Sequence, residues 1–371
     1  MAWWKSWLAA FLAWFHLGPV GAPAPTPAAT LAATPSPVVD RFTKTVTFTN
    51  RGRAPAFDVS AQVTVLPPKG VDASLTVLTA NPPWTRLRRD AYGNWIAVYR
   101  WPVLQPGQTE TVTLTFAAKT APVRYRLPDA SAAYDRAAAL YRFYTSPSLE
   151  AAEGVNTGAP QIVALDRRLT PAPMAPAARA RALFNWVVTH IRYNYRLVPS
   201  GGALATLAAG TGVCSDIAEL YAAMLRTDGI PARIVSGYVT NNGAGAGGFH
   251  QWDEFYLPGT GWVPADPTWG AYGYFAALDD AWHIPLYVGL GADTTVQWRN
   301  PPDQPGAADV AIGLHYHFPP PTASPAPIPG PPPIFPHLTL PLRAAWAAWA
   351  PWWSTWTALP PGNGTQVAGP Y

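Results

Sequence analysis

The feature that most limits what this chain can become is a change of hydrophobic period partway along it. In "RFTKTVTFTN" the residues Phe42, Lys44, Val46 and Phe48 alternate with four threonines, a period of two. "FDVSAQVTVLPP", "GNWIAVYRWPVL" and "QTETVTLTFAAK" repeat the pattern, with turn signals at Asn50-Arg51-Gly52, Tyr92-Gly93-Asn94 and Pro106-Gly107 between them. Successive strand residues point to opposite faces, so these rows suit a half-buried sheet rather than an amphipathic helix. Short alternating strands at this spacing predict a small antiparallel β-sandwich over residues 39–120.

After residue 120 the period becomes helical. "AARARALFNWVVTHIRYNY" places Leu183, Trp186, Val187 and His190 or Ile191 on one face. "CSDIAELYAAMLRTDGI" does the same with Ile217, Leu220, Tyr221, Met224 and Leu225, and Gly229 is a suitable stop. "ARIVSGYV", "HQWDEFYL" and "WVPADPT" then read as strands, the last two joined by Pro258-Gly259-Thr260-Gly261. Helices followed by antiparallel strands make the expected class α+β, with a second domain over residues 121–315. A fragment from about Ala121 to Phe318 is expected to keep the core of this second domain, at a cost in solubility or targeting.

The flanks differ from both. Pro (44) and Trp (18) are in excess, and much of that excess lies outside the two predicted domains. Lys5 followed by an apolar run from Trp7 to Leu17 reads as a signal peptide or signal anchor over residues 1–22. A Pro/Ala-rich linker follows over 23–38, and the bulk of the chain is expected outside the cytoplasm. Residues 316–336 are a Pro-rich linker and 337–371 a Trp-rich tail, which docks on the fold or rests at a membrane interface. The 25 Lys and Arg residues form no stripe, which argues against nucleic acid as a partner. No Asp-rich loop suits calcium, and a lone cysteine excludes a disulfide within the chain and a zinc site built on Cys pairs. No metal or other cofactor is expected.

That cysteine, Cys214, stands just ahead of the second amphipathic helix. The nucleophilic form of cysteine is the thiolate, which the partial positive charge of a helix N-terminus favours. A base must reach the sulfur and a third group must orient the base. His250 and Asp266 are available downstream. A three-residue loop at Pro258–Thr260 pairs Leu257 with Gly261 and sets Trp252 opposite Asp266, making His250 and Asp266 diagonal neighbours on one face. A two-residue loop puts them on opposite faces. By spacing alone, a nucleophile and an inert buried thiol both remain open.

Taken together the residues resemble the transglutaminase-like superfamily. The resemblance rests on "GVCSDIAELYAAMLRTDGIPARIVSGYV", on His250-Gln251-Trp252-Asp253-Glu254 and on "PGTGWVPADPT", and it covers residues 159–274. It implies a papain-like transglutaminase core behind an immunoglobulin-like sandwich. Cys214 would be the nucleophile, His250 the base and Asp266 the orienting carboxylate. Tyr193 is the candidate side-chain donor to an oxyanion, with Trp186 or Asn194 as alternatives; Trp252 would shield His250, and Glu254 would be a structural partner. The implied activity is thioester chemistry on peptide or glutamine side-chain amides of a protein, a peptide or a cell-envelope polymer, ending in hydrolysis or cross-linking. Arylamine-type acyltransferases share the Cys-His-Asp order but carry Arg-Gly-Gly where this chain has Thr211-Gly212-Val213. A catalytically silent fold serving as a surface binding module is the reading from a different class.

Overall fold

The computed structural model describes residues 37–319, apart from 69–72, 129–132, 148, 150–152, 154, 195–200, 241–246, 279–280 and 291–292, together with residues 363–368. The expected signal segment, almost all of the linker at 23–38, most of the linker at 316–336 and the Trp-rich tail other than 363–368 lie outside the described residues.

Six strands open the fold: β1 (Val38–Asn50), β2 (Ala56–Leu66), β3 (Ala73–Asn81), β4 (Arg86–Arg89), β5 (Trp95–Leu104) and β6 (Thr109–Thr120). The alternation in the sequence becomes alternation in burial. Phe42, Val46 and Phe48 of β1 and Val112, Leu114 and Phe116 of β6 are all buried in one core. Phe42 pairs directly with Phe116 across the two strands, and their rings stack at 4.8 Å.

A short strand, β7 (Val123–Arg124), leads to α1 (Ala139–Tyr144), α2 (Pro160–Leu169) and α3 (Pro176–His190). Both α2 and α3 start on a proline, whose missing N–H is one the first turn would leave unpaired anyway. Next come β8 (Arg192–Tyr193), α4 (Ala203–Ala209), β9 (Thr211–Gly212) and α5 (Cys214–Thr227). Ile217, Leu220, Tyr221, Met224 and Leu225 of α5 are buried together, as the helical spacing predicts. They meet Leu183, Phe184 and Val187 of α3 in a second core.

Helix α5 packs on a sheet of order β12-β11-β10-β14, made from β10 (Ala232–Val239), β11 (Gly248–Leu257), β12 (Gly261–Ala265) and β14 (His283–Val288). Between β12 and β14 lie a 3₁₀ helix, Pro267–Tyr272, and β13 (Ala277–Leu278), which pairs with β7. The fold is α+β.

The chain then returns to the sandwich. β16 (Val310–His317) pairs with β1 in a sheet of order β16-β1-β6-β3. β15 (Thr294–Arg299) pairs with β2 in the facing sheet, order β17-β15-β2-β5-β4, and β17 (Asn363–Ala368) lies on its edge. The boundary at residue 315 is therefore corrected: residues 294–317 complete the sandwich, which does not close at residue 120. Alternation identifies a strand but does not name its partner.

β14 joins the two parts. Its backbone pairs with β10, yet Ile284, Leu286 and Tyr287 are buried in the sandwich core. Burying each such side chain stabilises by roughly 1.5–3 kcal/mol. A fragment of residues 121–318 would expose all three and leave β15 and β16 without β2 and β1, a physical reason for the loss of solubility expected of it. Among the described residues, no helix is long and apolar enough to cross a membrane.

Candidate active site

The Gly-x-Cys segment is held by its own backbone. Helix α4 ends at Gly210 in the left-handed region, with φ 62°. β9 then runs parallel to β8, with Tyr193 beside Gly212, and the Asn194 N–H donates to the Gly212 carbonyl at 2.7 Å. A side chain at position 212 would put its Cβ 2.6 Å from that of Asp216, so the close approach requires glycine there. Asp216 in turn accepts the Val213 N–H at 2.9 Å. Cys214 is the first residue of α5 instead of preceding it, which puts it in the turn whose amides have no partner within the helix. The residue is 7% exposed.

The β11–β12 hairpin adopts the three-residue-loop register, with Leu257 opposite Gly261 and Asp253 opposite Ala265. The next residue, Asp266, consequently reaches His250: Nε2 and the Asp266 Oδ2 lie 2.8 Å apart. The other carboxylate oxygen, Oδ1, caps the 3₁₀ helix by accepting the Thr268 and Trp269 N–H groups at 2.9 and 3.3 Å. The Cys214 thiol lies close enough to His250 to favour its charged form. With Nε2 committed to Asp266, Nδ1 is the nitrogen left for the sulfur.

Electrostatics favour a charged imidazole here. Burial alone would lower the His250 pKa, but the Asp266 charge and hydrogen bond, followed by Cys214, lift it to about 10. Burial would likewise raise Asp266, and the opposing charges and hydrogen bonds of His250 and His283 hold it below the ordinary carboxylate range.

Two neighbours of the triad were not singled out by sequence reasoning. The Trp269 ring stacks on His250 with centroids 5.1 Å apart, closer than Trp252 at 6.2 Å. His283 on β14 lies with Nε2 3.4 Å from Asp266 Oδ2 and meets Trp252 and Trp269 edge to face. A lone polar residue opening the apolar strand "HIPLYV" was the available signal for it. Trp252 is buried and fits flat over β10 because a Cβ at Gly237 would lie 2.5 Å from its ring.

The remaining candidates divide. Tyr193 flanks the Gly-x-Cys backbone through the β8–β9 pairing. Trp186 stacks on His190 at 4.5 Å at the end of α3. Glu254 is paired in a buried contact with Arg233, its direct cross-strand neighbour, and the Trp262 ring covers the guanidinium at 4.2 Å. The Arg of "GIPAR" and the Glu of His-x-Trp-x-Glu are thus one structural pair. Asp253 is fully buried, and neither carboxyl oxygen has a hydrogen-bond partner among the described residues. Burial, then the nearby Asp266 charge, pushes its pKa well above the usual carboxylate value.

Among the described residues, His250, Asp266 and His283 are the group whose donor atoms could surround a cation, all lying within 4.8 Å of one another. A cation there would take the ring nitrogen that His250 gives to Asp266 and so dissolve the triad.

A buried Cys-His-Asp chain at a helix start and a hairpin coincides with a family match. Residues 163–267, which contain all three side chains, match the model of the transglutaminase-like superfamily. This segment is a transglutaminase-like domain. The chain is 33% identical over 129 residues to a protein-glutamine gamma-glutamyltransferase of Pseudomonas aeruginosa, covering 30% of this chain and 19% of that protein. It is 30% identical over 115 residues to a protein of Haemophilus influenzae, covering 24% and 31% respectively. These alignments span less than a third of either relative. A candidate cysteine protease from Cytophaga hutchinsonii shares the fold, with a TM-score of 0.50 at 16% identity over 76% of this chain and 91% of that one. The transglutaminase-like fold therefore supplies the frame in which the three side chains meet.

Proposed function

We propose that the chain is a cysteine acyl-transfer enzyme acting on peptide or glutamine side-chain amides outside the cytoplasm. The observation that carries this reading is one buried cluster in which His250 is hydrogen-bonded to the Asp266 carboxylate and lies within interaction range of the Cys214 thiol. The Cys214 sulfur attacks the amide carbon, and the oxyanion that forms lies near the free amides of the first turn of α5. Tyr193, beside Gly212, is the candidate second donor. His250, held protonated, gives its proton to the departing amine, and the C–N bond breaks to leave a thioester on Cys214. Water, or a second amine, then attacks the thioester carbonyl; His250 takes its proton, the C–S bond breaks and the sulfur leaves as the thiolate beside the protonated ring. Asp266 fixes the ring orientation and tautomer throughout.

The apolar run from Trp7 to Leu17 behind Lys5 supports an extracytoplasmic location. A protein, a peptide or a cell-envelope polymer is the proposed partner.

The experiment is incubation with a glutamine-containing peptide library, with and without a primary amine, read by mass spectrometry. Cleavage, deamidation and amine incorporation give distinct masses, and each should vanish in Cys214→Ala. No mass change, together with Cys214 alkylation no faster than a free cysteine, would leave a binding fold in place of an enzyme.

A further inference from the structure

Away from the triad, the sandwich core holds a lysine. Lys44 occupies the inward row of β1 between Phe42 and Val46 and is 1% exposed. Its Nζ touches Oδ1 of Asp293, also 1% exposed, which immediately precedes β15 in the facing sheet. The Thr64 carbonyl accepts from Nζ at 2.9 Å. Tyr316, the cross-strand neighbour of Lys44 on β16, donates its hydroxyl to the other carboxyl oxygen, Oδ2.

These partners fit an amide better than an ion pair. An ammonium has three N–H donors. Among the described residues its acceptors are Asp293 Oδ1 and the Thr64 carbonyl, with the Tyr316 ring centroid 5.4 Å from Nζ. An amide nitrogen has one N–H, which Thr64 would accept, and one carbonyl oxygen, which the Tyr316 hydroxyl would serve. Every donor and acceptor would then be matched. Burying an isolated charge is costly, whereas a neutral amide with both partners is ordinary in a core.

We propose that Lys44 and Asp293 condense into an intramolecular isopeptide bond that covalently joins the two sheets of the sandwich. Within the pair a proton passes from Nζ to the carboxylate, giving a neutral amine and a carboxylic acid. Burial, the largest influence on Lys44, lowers its pKa and favours the neutral form, while Asp293 opposes it. The amine attacks the Asp293 carboxyl carbon and the C–N bond forms. The Tyr316 hydroxyl holds the developing charge on Oδ2. One carboxyl oxygen then leaves as water with two protons, one of them from the nitrogen. The condensation releases one water and involves no change of oxidation state. The bond closes a covalent loop containing Cys214, His250 and Asp266.

The test is peptide mapping of the purified full chain by mass spectrometry, after folding and prolonged incubation. The expected result is one joined species containing the Lys44 and Asp293 peptides, lighter than their sum by one water. Asp293→Asn should join with loss of ammonia in place of water. Lys44→Met, an apolar chain of similar length, should remain unlinked and migrate more slowly on a denaturing gel, with its folding checked by circular dichroism. Tyr316→Phe should link about a hundredfold more slowly, as expected for loss of an oxyanion donor. Recovery of the two wild-type peptides separately, each at its unmodified mass, would overturn the proposal. A water loss that persists in Lys44→Met would assign the link to another residue and overturn it equally.

Discussion

Asp266 and Asp253 lie at adjoining levels of one hairpin, Asp253 pairing with the residue that precedes Asp266, and both are fully shut off from water. Asp266 is met by two backbone N–H groups and two histidines and is held ionised. Asp253 meets no donor among the described residues, and burial and the Asp266 charge push its pKa well up. Equal burial goes with opposite pKa shifts, because it is the partners that decide how strongly a buried carboxyl favours its charge. The pair also pulls stability in opposite directions with pH. Asp266, depressed, contributes above the ordinary carboxylate value of about 4 and loses that contribution as pH falls through its lower folded value. Asp253, raised, contributes most below about 4 and loses it as pH rises through its folded value.

The comparison is broken hardest at the charged end. Cys214→Ala should abolish turnover outright, and Asp266→Asn should keep the fold while lowering kcat by about 10⁴, as for the equivalent change in a serine protease. Thiol alkylation in Asp266→Asn should move to higher pH, since the imidazolium loses its support. Full turnover with an unmoved alkylation profile would remove Asp266 from the site.

His283 sharpens the same comparison, as a positioning residue acting through Asp266. Loss of a hydrogen bond of about 1 kcal/mol corresponds to about fivefold in rate. His283→Phe should show that loss in kcat with KM unchanged and an altered pH–rate profile, and His283→Gln should recover part of it. A fall confined to thermal stability would make His283 a packing residue only.

At the neutral end, Asp253→Val should stabilise. Removing an unpartnered buried acid for a β-branched apolar residue is expected to raise Tm by about 2–4 °C with turnover unchanged. The gain should grow toward alkaline pH, where the wild-type carboxyl is forced to ionise. A lower Tm would show that Asp253 has a hidden partner. The smallest expected effect is that of a chelator: activity should persist in EDTA, and loss with recovery on adding calcium would mean that a cation takes part.

How much of this was legible in the sequence depended on how local the information was. The rows of β1, β2, β5 and β6 alternate within themselves, so their strands could be read directly. The His250–Asp266 pairing followed from a three-residue loop, a local matter of hairpin register. β3 was missed because its side chains are never fully buried and its pattern is correspondingly weak. The return of β15 and β16 to the sandwich was invisible for another reason: their partners, β2 and β1, lie on the far side of the whole helical segment. His283 failed likewise, since its meaning comes from Asp266, which a different strand delivers. Lys44 was noted in an apolar row, but only the fold brings Asp293 to it.

The pairing of β1 with β16 has a consequence for how the chain is born. During synthesis β1 emerges first and must wait, one edge open, until the chain has reached Val310. Contacts between such remote segments raise contact order and slow folding, and an unpaired edge in the meantime invites association with other chains. The four threonines and the lysine along β1 temper that hazard by keeping the waiting strand from being uniformly apolar. The helical part, whose contacts are nearer in sequence, is positioned to fold in the interval and to carry β15 and β16 back to the open edge. Its folding would then be a precondition for closing the sandwich, and a lesion in the helical core should surface as aggregation of the β-domain.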